Sequence, residues 1–131
     1  MSQEETDFNW HMRQALLQQG YFAMHIREAN YPGPADLIVY HNQNEAQVID
    51  AWVELKVGSD WSGIRPSQRE FMRMHWALGK NAIYALLDKE AIPYGAIRCL
   101  QGDEKRSELA VNVDPYKVKW EEVFRKFRQR K

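Results

Sequence analysis

Asp36 stands at the entrance of the short apolar run Leu37-Ile38-Val39-Tyr40, and Glu54 and Lys56 close the next one, Val48 to Val57, with only Leu55 between them. Side chains alternate across a strand, so Glu54 and Lys56 point to one face while Leu55 turns into the core and leaves its carbonyl nearby. If the two runs pair as a hairpin, Asp36 lies beside Glu54, and two carboxylates and an ammonium share one small patch. Carboxylates held that close in a partly dry site repel by several kcal/mol unless something positive sits between them. A hard divalent cation answers that need, since Mg²⁺ takes oxygen ligands and is commonly held by one or two carboxylates, waters and substrate phosphates. It would activate a water and neutralise charge building on a phosphoryl oxygen, and a neighbouring lysine would orient the nucleophile or stabilise the crowded phosphorus. This is equipment for phosphodiester hydrolysis. A Glu-x-Lys standing alone is, by contrast, an ordinary ion pair at a strand end.

Other chemistries are poorly represented. The chain has no Walker lysine loop, GxSxG elbow, GxGxxG or HExxH, which removes the enzyme classes built on them. His11, His25, His41 and His75 are scattered without ligand spacing, and the single Cys99 sits in an apolar run, where a thiol serves as a small buried hydrophobe.

The elements that must position the patch follow from periodicity. Phe8, Met12, Ala15 and Leu16 recur at helical spacing over residues 5–19, Glu5 continues that stripe one turn earlier, and Gly20 ends it. Strands are expected at Tyr21–Ile26, Asp36–Tyr40 and Val48–Val57, with a turn at Asn30-Tyr31-Pro32-Gly33-Pro34 and a hairpin loop from His41 to Gln47. After the loop Gly58–Gly63, Pro66-Ser67 opens a helix that continues through Gln68 to Leu78, with Gly79 at its stop. Strands at Ala82–Leu87, Gly95–Leu100 and Leu109–Val113 come next, and a last amphipathic helix runs from Pro115 to about Arg128 with the stripe Trp120, Val123, Phe124 and Phe127. The order α-β-β-β-α-β plus a C-terminal addition is a mixed α/β class, expected as one domain over 1–131 with a core at about 5–100 and an extension at about 101–131.

These motifs, taken in order, resemble the PD-(D/E)XK nuclease superfamily, and within it the small VRR-NUC-type and phage Holliday-junction-resolvase-like members. The likeness runs from about Glu5 to Leu87. Glu5 sits in the register of the family's helix glutamate, Gly33-Pro34-Ala35-Asp36 stands for its turn and metal aspartate, Val53-Glu54-Leu55-Lys56 for its catalytic strand, and Ile64-Arg65-Pro66-Ser67-Gln68 for its glutamine-bearing helix start. Ala35 separates proline from acid, a departure that touches the turn more than the chemistry. The resemblance implies a restriction-endonuclease-like core. It implies Mg²⁺ or Mn²⁺ held by Asp36, Glu54 and the Leu55 carbonyl, with Glu5 (or Glu28 in its place) supporting a second ion or a water. Lys56 would handle the nucleophile, and Gln68 would reach toward water or Lys56. The implied substrate is DNA, above all branched DNA such as a Holliday junction, with sequence-specific cutting and a silent DNA-binding module as rivals.

Composition sets the remaining bounds. The 131 residues are 44% hydrophobic, with 18 basic and 18 acidic side chains, which is ordinary globular composition and no general polycation. The charge is uneven: residues 1–60 hold nine acids and three bases, and residues 61–131 nine acids and fifteen bases, a distribution that suits phosphate contacts in the second half. Arg65, Arg69 and Arg73 around the glutamine helix and Lys117, Lys119, Arg125, Lys126, Arg128, Arg130 and Lys131 near the end could track a DNA backbone. Asp60 and Trp61 lie in the loop after the Glu-x-Lys strand, where Trp61 could stack on an unpaired base or fold over the core. The apolar stripe of the last helix must bury on the domain or across a symmetric dimer; a homodimer is the expectation, since two-fold symmetry suits cutting two strands. No run of 18 apolar residues and no basic-then-apolar leader is present, so no membrane contact and a cytoplasmic setting are expected.

Overall fold

The computed structural model describes residues 2–26, 36–41, 49–92, 94–105 and 108–127. Glu28, the Gly33-Pro34-Ala35 turn, Asn42 to Val48, and Arg128, Arg130 and Lys131 lie outside them.

Helix α1 (Gln3–Gln18) starts at Ser2, whose Oγ accepts from the Glu5 amide at 3.2 Å and whose hydroxyl donates to Glu5 Oε1 at 3.2 Å. Gly20, at φ +89°, adopts the left-handed conformation that lets the chain leave the helix cheaply. Strands β1 (Tyr21–His25), β2 (Leu37–His41) and β3 (Ile49–Val57) form an antiparallel meander. Helix α2 (Pro66–Ala77) then crosses over to β4 (Ala82–Asp88), which runs parallel to β3, and β5 (Ala96–Gln101) and β6 (Leu109–Val111) return antiparallel. Among the described residues, the six strands lie in one sheet in chain order. This is the mixed α/β class expected from the element order.

Alternation along β3 divides the two faces. Ala51, Val53 and Leu55 join Phe8, Met12 and Leu16 of α1 and Leu37 and Val39 of β2 in the main apolar cluster. Trp52 points the other way, toward α2, where Ile64, Met72, Ala82, Tyr84 and Leu100 form a second, smaller cluster. At the seam with α2, an added Cβ on Gly102 would lie 2.7 Å from the Met72 carbonyl oxygen and 2.9 Å from the Ala82 Cβ, so the β5–β6 turn presses against the helix backbone itself. Gly102→Ala is therefore expected to lower stability by about 1–3 kcal/mol through overpacking; urea denaturation measures it, and an unchanged midpoint would mean the turn moves aside freely.

The end of the chain differs from expectation. Instead of one helix from Pro115, there is a single 3-10 turn (Pro115–Lys117), an extended Val118 at φ −93° and ψ 135°, and then helix α3 (Trp120–Phe127). The break arises because Val118 is buried in the main cluster, and because the Gln19 side chain holds the chain on both sides of Lys119: Nε2 donates to the Val118 carbonyl at 2.6 Å and Oε1 accepts from the Trp120 amide at 2.9 Å. Trp120, Val123, Phe124 and Phe127 are all buried in the main cluster, with Phe124 edge-on to Tyr21. Their stripe is thus spent within the chain, and the argument for a dimer seam along it falls. Cys99 is buried too, and burial pushes its thiol up to about 12, as suits a packing residue. No described helix is long and apolar enough to cross a membrane.

Candidate active site

The β2–β3 register pairs Leu37 with Val53, so the next step along the antiparallel pair sets Asp36 beside Glu54. Asp36 Oδ2 accepts a 2.8 Å hydrogen bond from the Leu55 amide, while the Asp36 carbonyl accepts from the Ile26 amide at 3.0 Å. The carboxylate thus takes a backbone donor of β3 itself. In an extended strand, the N–H and C=O of one residue project from the same side; the Leu55 carbonyl therefore faces the side on which Asp36 lies.

Glu54 is wholly buried, at 0% exposure, an environment in which a carboxylate is seldom found unpaired. Its Oε1 accepts from Gln68 Nε2 at 3.1 Å and lies 3.9 Å from Lys56 Nζ, and its Oε2 has no partner among the described residues. Burial first, and then the charge and hydrogen bonding of Asp36, push its carboxyl up to about 9, against the downward pull of Lys56 and Arg65. Gln68 is placed by its second bond: Oε1 accepts from the Arg65 amide at 3.1 Å, so one side chain both closes the first turn of α2 and reaches Glu54. Asp36, Glu54, Lys56 and Gln68 come together on the α2 face, the position expected of Glu54 and Lys56 from the alternation of β3 and of Asp36 from the hairpin.

The remaining candidates are elsewhere or otherwise engaged. Glu5 belongs to α1 on the opposite face and is bonded to Ser2; among the described residues no group of three or more Asp, Glu, His or Cys is arranged to hold a metal. Trp61 is half-buried: its Nε1 donates to Glu108, its ring meets Tyr84 edge-on, and the Arg98 guanidinium lies 5.7 Å from its centroid. Stacking on a base would require leaving all three. Asp60 accepts from the Ser62 hydroxyl and amide, which hold its carboxyl below the usual range. Arg69 pairs with Glu104 at 3.1 Å, whereas Arg65 and Arg73 are exposed. Lys117, Lys119, Arg125 and Lys126 are exposed as well, Arg125 within 3.7 Å of Glu121.

Sequence reasoning missed Arg98. It binds Glu108 through Nε (2.7 Å) and Nη2 (2.8 Å), and Asp88 (3.1 Å) and the Ser59 carbonyl (2.8 Å) through Nη1. The loop between Lys56 and α2 is thereby pinned from β5. Its partners stand 10 and 39 residues away in the chain, and no short motif announces such a pairing. Tyr84, the β4 neighbour of Glu54, is also buried, with a hydroxyl that has no partner among the described residues.

A divalent cation fits this arrangement. Two adjacent carboxylates, one wholly buried with an orphaned oxygen, together with a carbonyl facing the same side, form a hard oxygen donor set whose remaining positions water or phosphate would fill.

No family model matches the chain, and no curated protein matches it. Among solved structures, it is similar to Hjc from Archaeoglobus fulgidus, a Holliday junction resolvase from an archaeal hyperthermophile, with a TM-score of 0.55 at 20% identity over 91% of this chain and 98% of that one. The fold is thus the restriction-endonuclease-like one, over nearly the full length of both chains.

Proposed function

We propose that this chain is a metal-dependent endonuclease that hydrolyses phosphodiester bonds in branched DNA such as a Holliday junction. The observation that carries the reading is Glu54: a wholly buried carboxylate beside Asp36, touched by Gln68 and Lys56, is costly to keep unless the site uses it. The likeness to a junction resolvase in fold supports membership of the PD-(D/E)XK superfamily and the choice of substrate.

Asp36, Glu54 and the Leu55 carbonyl would hold Mg²⁺ or Mn²⁺. When bound, the ion supplies an activated water and neutralises negative charge on a phosphate oxygen. Asp36 is oriented by the Leu55 amide, and Gln68 holds one oxygen of Glu54 and leaves the other, which would be available to the ion. Lys56 donates to the attacking water or to the phosphoryl oxygen, stabilising charge as it develops. Arg65 and Arg73 bind backbone phosphates, which position the duplex without reading its sequence. Glu5, bonded to Ser2 on the other face of the sheet, stands outside this set. Two copies pair so that both strands are cut, and the exposed Phe22 and Met24 on the edge strand β1 offer an apolar seam for that.

The test is cleavage of labelled four-way junction, flap, duplex and single-stranded DNA in Mg²⁺, Mn²⁺ or EDTA, with Glu54→Ala alongside wild type. Cutting of the junction that needs metal and is lost in the variant is the expected result. Salt-sensitive binding with no cutting under either metal would make the chain a silent DNA-binding relative, and a preference for one duplex sequence would make it a sequence-specific enzyme.

A further inference from the structure

Arg65 is the extended N-cap residue of α2, and Arg69 and Arg73 follow within the helix one turn, about 6 Å, apart on the same flank. The stripe begins at the site, because Arg65 is close enough to Glu54 to pull its carboxyl down and because Gln68 beside it touches Glu54 directly. Its outer members are exposed; its middle member is not free. Arg69 Nη1 lies 3.1 Å from Glu104 Oε1 and 3.3 Å from Oε2, and Nη2 donates to the Trp61 carbonyl at 3.4 Å. Both carboxylate oxygens face one nitrogen, so the two-pronged grip by which a guanidinium holds a phosphate is not used up on Glu104.

Glu104 is put there at some cost. Its φ is +60°, the only described residue other than glycine with a positive φ, a conformation that typically costs a side-chain-bearing residue about 1 kcal/mol or more. The turn that carries it is held against α2 by Gly102, whose missing Cβ allows contact with the Met72 carbonyl, and by the Gly102 amide, which donates to Ala82 at 2.8 Å. The pair is only partly buried, with 39% and 28% of the two side chains exposed, so solvent and a competing anion can reach it.

We propose that Glu104 is an internal stand-in for a backbone phosphate on Arg69, so that the α2 stripe is a three-phosphate track closed at its centre until nucleic acid displaces the carboxylate. This rests on the DNA-binding reading above and adds a regulator to it. In the free protein, the Arg69–Glu104 pair ties α2 to the turn after β5, and Arg69 also bonds the loop at Trp61. On binding, a phosphate takes the Glu104 position, the turn is released from its strained residue's contact, and Arg69 keeps the Trp61 carbonyl. The exchange trades one anion for another, so Arg69 adds affinity only to the extent that the phosphate is the better partner. Non-cognate DNA that cannot bring a phosphate to the centre of the stripe leaves the track closed.

The experiment measures binding of a labelled four-way junction in EDTA, where nothing is cut, from 50 to 200 mM salt. Glu104→Gln keeps the shape and removes the charge, and Glu104→Gly removes it with a residue suited to φ +60°, so a folding defect in one does not silence the test. Both are expected to bind about threefold or more tighter at the low-salt end, with a salt slope steeper by about one counterion, because the phosphate contact is no longer offset by a freed carboxylate. In an Arg69→Gln background, the same substitutions should change nothing. Wild-type protein that binds no DNA at low salt would overturn the function itself and this inference with it. Wild-type binding with both Glu104 variants unchanged, or a gain that persists without Arg69 as a general charge effect would, overturns the stand-in alone.

Discussion

Glu54→Gln is expected to yield a metal-free protein that is more stable than the wild type at neutral pH and does not cleave. With its carboxyl raised from 4.5 to about 9, the folded chain holds a proton at this residue that the unfolded chain has lost throughout that window. Stability contributed by the protonated form is therefore fully present below about pH 4.5 and is lost as pH rises toward 9, with a slope of up to about 1.4 kcal/mol per pH unit. At pH 7 the penalty is on the order of 3 kcal/mol. Glutamine has the same shape and no charge to bury, its oxygen can still accept from Gln68, and its amide can donate to Asp36 at any pH, whereas Glu54 does so only while it keeps its proton. Thermal unfolding from pH 5 to 9 is the measurement, with wild type falling and the variant flat by comparison. Added Mg²⁺ or Mn²⁺ should raise the wild-type midpoint, more so at higher pH as fewer protons compete, and leave the variant unmoved. A variant less stable than wild type at pH 8 would mean that Glu54 is ionised and satisfied by its protein partners alone.

Lys56→Ala is expected to lower the rate of junction cleavage by about 10²–10⁴-fold while the affinity for DNA changes by no more than a few fold. The Lys56 side chain is 18% exposed and its ammonium is 3.9 Å from Glu54, a loose contact that leaves its donors available to a substrate, while the exposed Arg65 and Arg73 are left to grip the backbone. Its loss has a second consequence. Lys56 pulls the Glu54 carboxyl down, so without it Glu54 is harder still to ionise and the metal concentration needed for half-maximal residual activity should rise. Arginine should not restore the rate, because a planar fork on a longer stem does not put its charge where a compact ammonium sat. Single-turnover cleavage with saturating protein separates rate from binding, and wild-type cutting by the alanine variant would remove Lys56 from the mechanism.

What could be read in the sequence divides by range. Asp36, Glu54 and Lys56 were legible because strand alternation and a hairpin are local rules, and the register of Leu37 with Val53 is the pairing those rules require. Gln68 was legible as a helix-start residue, although its grip on Glu54 needed the α2 crossover to be built. Glu5 shows how a local pattern can carry two readings: Ser2-x-x-Glu5 is also a helix-capping signature, and capping is the bond the structure displays. The continuous helix expected from Pro115 failed because the docking of Val118 and the reach of Gln19 across 99 residues outweigh helical periodicity. Arg69 and Trp61 looked available for DNA because their partners, Glu104 and Glu108, lie 35 and 47 residues further on, in a turn region with no periodicity to betray which way its acids face.

The division of β3 between two faces bears on how the chain finds its pairing at all. A slip of one residue against β2 or β4 would turn every side chain of the strand over. Leu55 and Val53 would then meet Gln68 and water, and Glu54 and Lys56 would be driven among Phe8, Met12 and Leu16 with no partner for either charge, a state worse by several kcal/mol for each ion. The residues placed for chemistry are, for the folding chain, a register mark: they make the neighbouring alignments too costly to linger in, and a strand purged of them for stability would lose the feature that tells one alignment from the next.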